Sequence, residues 1–156
     1  MREIFLVNLS GTDKIGQTNA LTAVLSEHGV NILDIGQAVI HDTLSLGMLI
    51  EIPAGANSAP ALRDILFKSH ELGLTTKFTP VSVDDYEQWV SEQGKPRYII
   101  TLLGPVIEAN HILAISKVIS SNGLNIDSIK RLSGRKSLEK VTEYIRSCIE
   151  ITVRGI

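Results

Sequence analysis

Residues 27–35 read Glu-His-Gly-Val-Asn-Ile-Leu-Asp-Ile, and residues 121–129 read Ser-Asn-Gly-Leu-Asn-Ile-Asp-Ser-Ile. Both have glycine, an aliphatic residue, Asn-Ile and a closing Ile at the same places, with a constant offset of 94. An internal repeat sets the unit of the fold before any element is assigned. Working outward, Leu9-Ser10-Gly11 faces Leu102-Leu103-Gly104 at an offset of 93, and Leu49-Ile50-Glu51-Ile52 faces Cys148-Ile149-Glu150-Ile151 at 99. The second copy therefore carries about five extra residues before its third strand, within the error of boundaries set by hand.

In the first copy, Ile4 to Leu9 is a nearly unbroken apolar run of strand length, the pattern of a strand buried on both faces. Gly11 to Gly16 forms the turn after it. A helix over 17–28 places Leu21, Val24 and Leu25 on one face and stops at Gly29. A second strand starts at Val30 and is expected to break near Gly36. After a polar turn at His41-Asp42-Thr43, Leu44, Leu46, Met48, Ile50 and Ile52 alternate strictly, as in a half-buried strand paired with its predecessor. Asn57 or Ser58 can cap a second helix, with Pro60 in its first turn, Leu62, Ile65 and Leu66 inward and Gly73 just beyond its end. Leu74, Thr76 and Phe78 open a fourth strand. The order β-α-β-β-α-β is the split βαβ of α+β, ferredoxin-like sandwiches.

Residues 84–96, acidic and closed by Gly94-Lys95-Pro96, read as a connection with a helical turn around Trp89. That gives a first domain over 1–83 and a second over 97–156. In the second, Tyr98 to Leu103 is a strand, 108–122 a helix with Ile112, Ile115, Val118 and Ile119 inward, and Leu124 to Leu132 another strand. Leu138, Val141 and Ile145 have helical spacing, read as a loop or short helix before the strand of Ile149, Ile151 and Val153. Ile156 corresponds to Asn57, so the second copy is expected to be truncated, without the second helix and fourth strand.

Composition narrows the function. Fifteen basic against seventeen acidic residues, net −2, is too even for a dedicated nucleic-acid binder, and 4% aromatics leave little for base stacking. The sequence has no apolar run of membrane-spanning length and no signal peptide at its start, so a cytoplasmic, membrane-free protein is expected. Cys148 is the sole cysteine and reads as a small core residue. His28, His41, His70 and His111 show no metal-ligand spacing, and His28 and His70 sit where a helix end favours positive charge. The serines form no nucleophile elbow, and Lys130, Arg131, Arg135 and Lys136 read as a solvated basic loop.

Gly11-Thr12-Asp13-Lys14-Ile15-Gly16-Gln17-Thr18 has the glycine spacing of a phosphate-binding loop, but Gln17 stands where that motif requires lysine. The loop suits a small zwitterion better. A helix N-terminus offers N–H groups to a carboxylate, Gly16 lets the backbone approach closely, and Asp13 can pair with an ammonium. Asn31 could add an amide contact. The alternative is that Asp13 caps the helix, Gly16 serves the turn and Asn31 satisfies backbone.

With these residues the chain resembles the ACT domain, a regulatory amino-acid-binding module. The stretch over 1–53, with Arg131-Leu132-Ser133-Gly134-Arg135-Lys136 and Cys148-Ile149-Glu150-Ile151-Thr152-Val153-Arg154-Gly155, is similar to the N-terminal tandem ACT region of bacterial phosphoserine phosphatases of the haloacid dehalogenase superfamily. The resemblance implies a regulatory segment without the catalytic half. The superfamily's Asp-x-Asp-x-Thr/Ser motif is absent, so no phosphatase activity is expected of this chain, and Mg²⁺ is expected only for the catalytic domain. It also implies an amino-acid effector, with serine favoured, held at a homodimer interface between the first loop and the start of the second strand. The matching positions are Asp13, Gly16, Gln17, Thr18, Asn31 and Ile32. Ile15 departs from the proline usual in family loops. The second copy reads Gly104-Pro105-Val106-Ile107-Glu108-Ala109-Asn110, without the aspartate or second glycine, and is expected to contribute Asn125 at most.

Three function classes remain open on the sequence: an effector-sensing segment of a phosphatase, a free-standing tandem-ACT regulator acting through a partner protein, and a ligand-free dimerisation module. Truncation of the second copy is expected to expose Ile149, Ile151 and Val153 and so to drive pairing of chains.

Overall fold

Glycines set the helix ends and aliphatic alternation sets the strands. The computed structural model describes residues 2–135, 137, 138 and 146–155. The chain falls into two compact units, Met1–Ser91 and Glu92–Ile156.

In the first unit the elements are β1 (Glu3–Thr12), α1 (Gln17–Glu27), β2 (Asn31–Ile40), β3 (Thr43–Ile52), α2 (Ser58–Glu71), β4 (Leu74–Val81) and α3 (Val83–Glu92). The four strands form one antiparallel sheet in the order β2-β3-β1-β4. Gly29 and Gly73, with φ of 64° and 74°, take the left-handed turns that end α1 and α2. One face of the sheet and the two helices make the core: Val7 and Leu9, Leu44 to Ile52 in alternation, Leu21 and Leu25, and Ala61 and Ile65. Burying each large aliphatic side chain contributes about 1.5–3 kcal/mol. Leu66, expected inward, is 48% exposed, and α2 instead buries Ala61, Ile65 and Ser69. The inner stripe therefore runs at four-residue intervals, and Leu66 lies beside it.

Strand β2 runs unbroken through Gly36, contrary to the expected break. Its irregularity lies at Leu33, where the register with β3 slips between Ile32↔Ile50 and Asp34↔Leu49. This bulge resets the alternation, so that Ile32 and Ile35 share the helix-covered face while Asp34 and Gly36 point to the open one.

The connecting segment is more ordered than its polar composition implies. It holds the ten-residue helix α3, whose first turn is closed by Ser82 Oγ accepting the Asp85 N–H at 3.1 Å, with Asp84 and Asp85 at the favourable end of the dipole.

The second unit comprises β5 (Arg97–Gly104), α4 (Ala109–Ser121), β6 (Asn125–Arg131) and β7 (Ser147–Arg154), with sheet order β5-β7-β6. These are the counterparts of β1, α1, β2 and β3. The bulge recurs too, with β6 slipping between Ile126 and Ser128. Ile151 and Val153 are fully buried and Ile149 is half-buried, which corrects the expectation that they are exposed. The central strand β7 turns them toward Ile119 and Ile115 of α4. Exposed aliphatics of this unit include Ile99 and Leu103 on the edge strand β5, Val118 and Leu113 on α4 and Ile129 on β6. Val118 thus faces outward, not inward as its spacing implied. The helical spacing of Val141 and Ile145 lies outside the described residues.

Candidate functional site

The loop between β1 and α1 is built around one buried polar side chain. Gln17 is only 2% exposed. Its Oε1 accepts the Lys14 N–H at 2.9 Å, and its Nε2 donates to the carbonyls of Thr12 at 2.9 Å and Leu72 at 3.2 Å. Both amide hydrogens are therefore engaged in holding the loop against the end of α2. Gln17 shapes the site and has no donor left for a ligand.

Gly11 lets this happen, since a Cβ there would lie 2.6 Å from the Gly73 carbonyl oxygen. Gly16, at φ 86°, occupies the position before the first helical residue and brings no side chain to cap α1. The first N–H groups of a helix lack intrahelical partners, so this end of α1 can receive an anion. Asp13 is not the helix cap. It is exposed, and its backbone N–H donates to the Asp42 carbonyl at 2.7 Å, tying the loop to the β2–β3 turn. Ile15 at the tip is fully exposed. Thr18 Oγ1 donates to Gln37 Oε1 at 2.5 Å, joining the helix start to β2.

The structure does not bring all six sequence-predicted residues together. Asp13, Gly16, Gln17 and Thr18 cluster at the loop. Asn31 and Ile32 lie at the far end of the sheet: Asn31 is in register with Glu51, which faces Ile4, whereas the loop leaves β1 after Thr12. The length of β1 separates them, about 27 Å at ~3.4 Å per residue. Asn31 Nδ2 donates to Glu51 Oε1 at 3.2 Å across the strand pair, and Ile32 is 42% exposed. Gln37 and Asp42, beside the loop, were not identified from the sequence. A polar residue between Ile35 and Val39 on the helix-covered face of β2 is a signal that appears only once the bulge at Leu33 is placed.

Residues 3–79 match the sequence profile of the ACT domain. The chain belongs to the ACT-domain family. Over 129 residues it is 32% identical to the phosphoserine phosphatase SerB2 of Mycobacterium tuberculosis, an alignment covering 82% of this chain and 30% of that protein. It is 36% identical over 70 residues to a UPF0237 protein of Methanopyrus kandleri, covering 44% of this chain and 78% of the relative. The likeness in fold extends through both units. A solved structure described as a candidate glycine cleavage system transcriptional repressor superposes with a TM-score of 0.67 at 15% identity, covering 99% of this chain and 81% of that one.

The second unit lacks the loop chemistry of the first. Its Glu108 N–H donates to His111 Nδ1 at 3.0 Å, closing the start of α4 locally. Asn125 borders a hollow together with Glu92, Lys95 and Arg154. Among the described residues, no cluster of three His, Cys, Asp or Glu side chains could hold a metal ion, and no helix is long and apolar enough to cross a membrane.

Proposed function

We propose that this chain is an amino-acid-sensing regulatory segment of a phosphoserine phosphatase, with serine as effector, and that two copies build each binding site. The observation that carries the reading is the loop itself: an exposed Asp13 for the ammonium beside a helix N-terminus without a side-chain cap for the carboxylate. The similarity to a phosphoserine phosphatase over most of the chain supports the pathway assignment.

The separation of Asn31 from the loop explains why a second copy is needed. Strand β2 is an edge strand, and Ile32, Ile35, Val39 and Ile40 on it are 39–80% exposed. Such an edge favours pairing. An antiparallel pairing of two β2 strands centred between Ile35 and Gly36 sets Asn31 of the partner subunit opposite Ile40. Ile40 adjoins the loop through Thr43 and Thr12. A closed two-fold contact of this kind creates two equivalent sites.

Calorimetry with a panel of amino acids tests the ligand. Serine is expected to bind saturably, Asp13→Asn to weaken it at least tenfold (about 1.4 kcal/mol), and Asn110→Ala to leave it unchanged. Unaltered affinity in Asp13→Asn removes the proposed ammonium partner.

A further inference from the structure

On the face of the first sheet opposite α1 and α2 lies a second recess, of about 450 Å³. Strands β1 and β3 supply its apolar floor with Leu6 and Leu49, and Tyr86 and Trp89 of α3 form its wall. Their ring centroids are 6.0 Å apart at an interplanar angle of 35°. The volume falls in the range of small-molecule sites.

The recess exists because two glycines stand side by side. Gly36 of β2 and Gly47 of β3 are directly paired across the strands. Neither has a positive φ, so neither is there for backbone freedom. Nor is either required by crowding: a Cβ on Gly36 would meet nothing within 4 Å, and one on Gly47 would make ordinary contact with Asn8 Oδ1 at 3.5 Å. Glycine in a strand interior weakens it. What this pair provides is space under the aromatic wall.

The charge at the rim has one sign. Asp34, turned to this face by the bulge at Leu33, and Asp85 in the first turn of α3 both line the recess, and among the described residues no lysine or arginine does. By register, Lys77 lies in the row of Gly36, Gly47 and Asn8, but on the opposite edge strand. That is three strand spacings, about 14 Å, from Gly36. An aliphatic floor facing an aromatic wall, with carboxylates at the mouth, matches an ammonium group on a hydrophobic stem. The same carboxylates repel an anion, so an α-amino acid, which carries its own carboxylate, is disfavoured.

We infer that the recess between α3 and the open sheet face is a second ligand site, separate from the β1–α1 loop, which takes a small organic amine with an aryl or alkyl body. Trp89, the chain's single tryptophan, reports on it directly. The test titrates the full chain with phenethylamine, phenethyl alcohol and phenylacetate while following tryptophan emission. Phenethylamine is expected to give a saturable change, at least tenfold tighter than the alcohol, with phenylacetate inert. Gly36→Leu, which fills the space, should abolish the amine response while the circular dichroism stays that of the folded chain. Asp85→Asn, at an exposed position of α3, should weaken the amine toward the affinity of the alcohol, with Asp34 remaining in place. Absence of a saturable signal, equal binding of all three compounds, or a response unaffected by both substitutions would overturn the proposal. If Gly36→Leu fails to fold, the Asp85→Asn comparison decides.

Discussion

Gln17 shows how a single side chain can be legible in kind and misread in role. Its place after Gly16 excludes a phosphate-binding loop, a conclusion available from residue identity alone. Its burial and its reach to Leu72, 55 positions away, depend on tertiary packing that no local pattern encodes. Replacing it with alanine leaves the Thr12 and Leu72 carbonyls and the Lys14 N–H without their partner. The expected loss is about 1–3 kcal/mol of stability, read from urea midpoints, together with loss of serine binding as the loop loosens. Gly16→Ala is expected to be milder, about 1 kcal/mol, because alanine must adopt the same positive φ. Asp13→Asn should leave the urea midpoint of the parent chain unchanged, since Asp13 is exposed and does not cap α1. These three variants separate residues that build the loop from the one proposed to meet the ligand.

At the scale of elements, strict alternation made β3 readable, and the glycine stops made α1 and α2 readable. The bulge in β2 was also written in the sequence. Ile32 and Ile35, like Ile126 and Ile129, stand three apart, and only an extra residue between them keeps both on one face of a strand. Gly36 drew attention instead because glycine commonly marks strand irregularities, whereas here it leaves a cavity. The full length of α3 was hidden by its polar composition. Helices α1 and α2 are joined by a contact that helix-end reasoning assigned differently: His28, read as a favourable charge at the end of α1, pairs through Nε2 with Asp64 Oδ2 of α2 at 2.8 Å. The hydrogen bond from the His28 ring, with Arg63 assisting against partial desolvation, holds the Asp64 carboxyl below its ordinary value of 3.8. A carboxyl depressed on folding contributes stability above its unfolded pKa and loses it as pH falls through the folded one. The stability difference between the parent chain and Asp64→Asn is therefore expected to be fully present above the ordinary carboxylate value of 3.8 and to be lost as the pH falls through the lower folded-state value, as measured by urea unfolding at each pH.

At the scale of the whole molecule, the repeat pointed to the ferredoxin-like architecture, but the sequence pattern could not reveal that the six candidate residues lie at two ends of one sheet. Strand register decides this, and register emerges only when β1, β3 and β2 are laid side by side. The expected assembly surface also moved, from β7, which α4 covers, to the exposed aliphatic edge of β2. Substituting Ile35→Lys on that edge should shift the chain toward monomer in sedimentation velocity and lower serine affinity in parallel. The shared site is tested most directly by complementation. Asp13→Asn and Asn31→Ala chains, each expected to bind serine poorly alone, are unfolded together, refolded as an equal mixture and titrated by calorimetry. If each site takes Asp13 from one subunit and Asn31 from the other, half of the dimers are mixed and each carries one intact site, restoring about a quarter of the parent's sites at parent affinity. Continued absence of binding in the mixture, with dimers present, would contradict the shared site, as would parent-like binding by the Asn31→Ala chain alone.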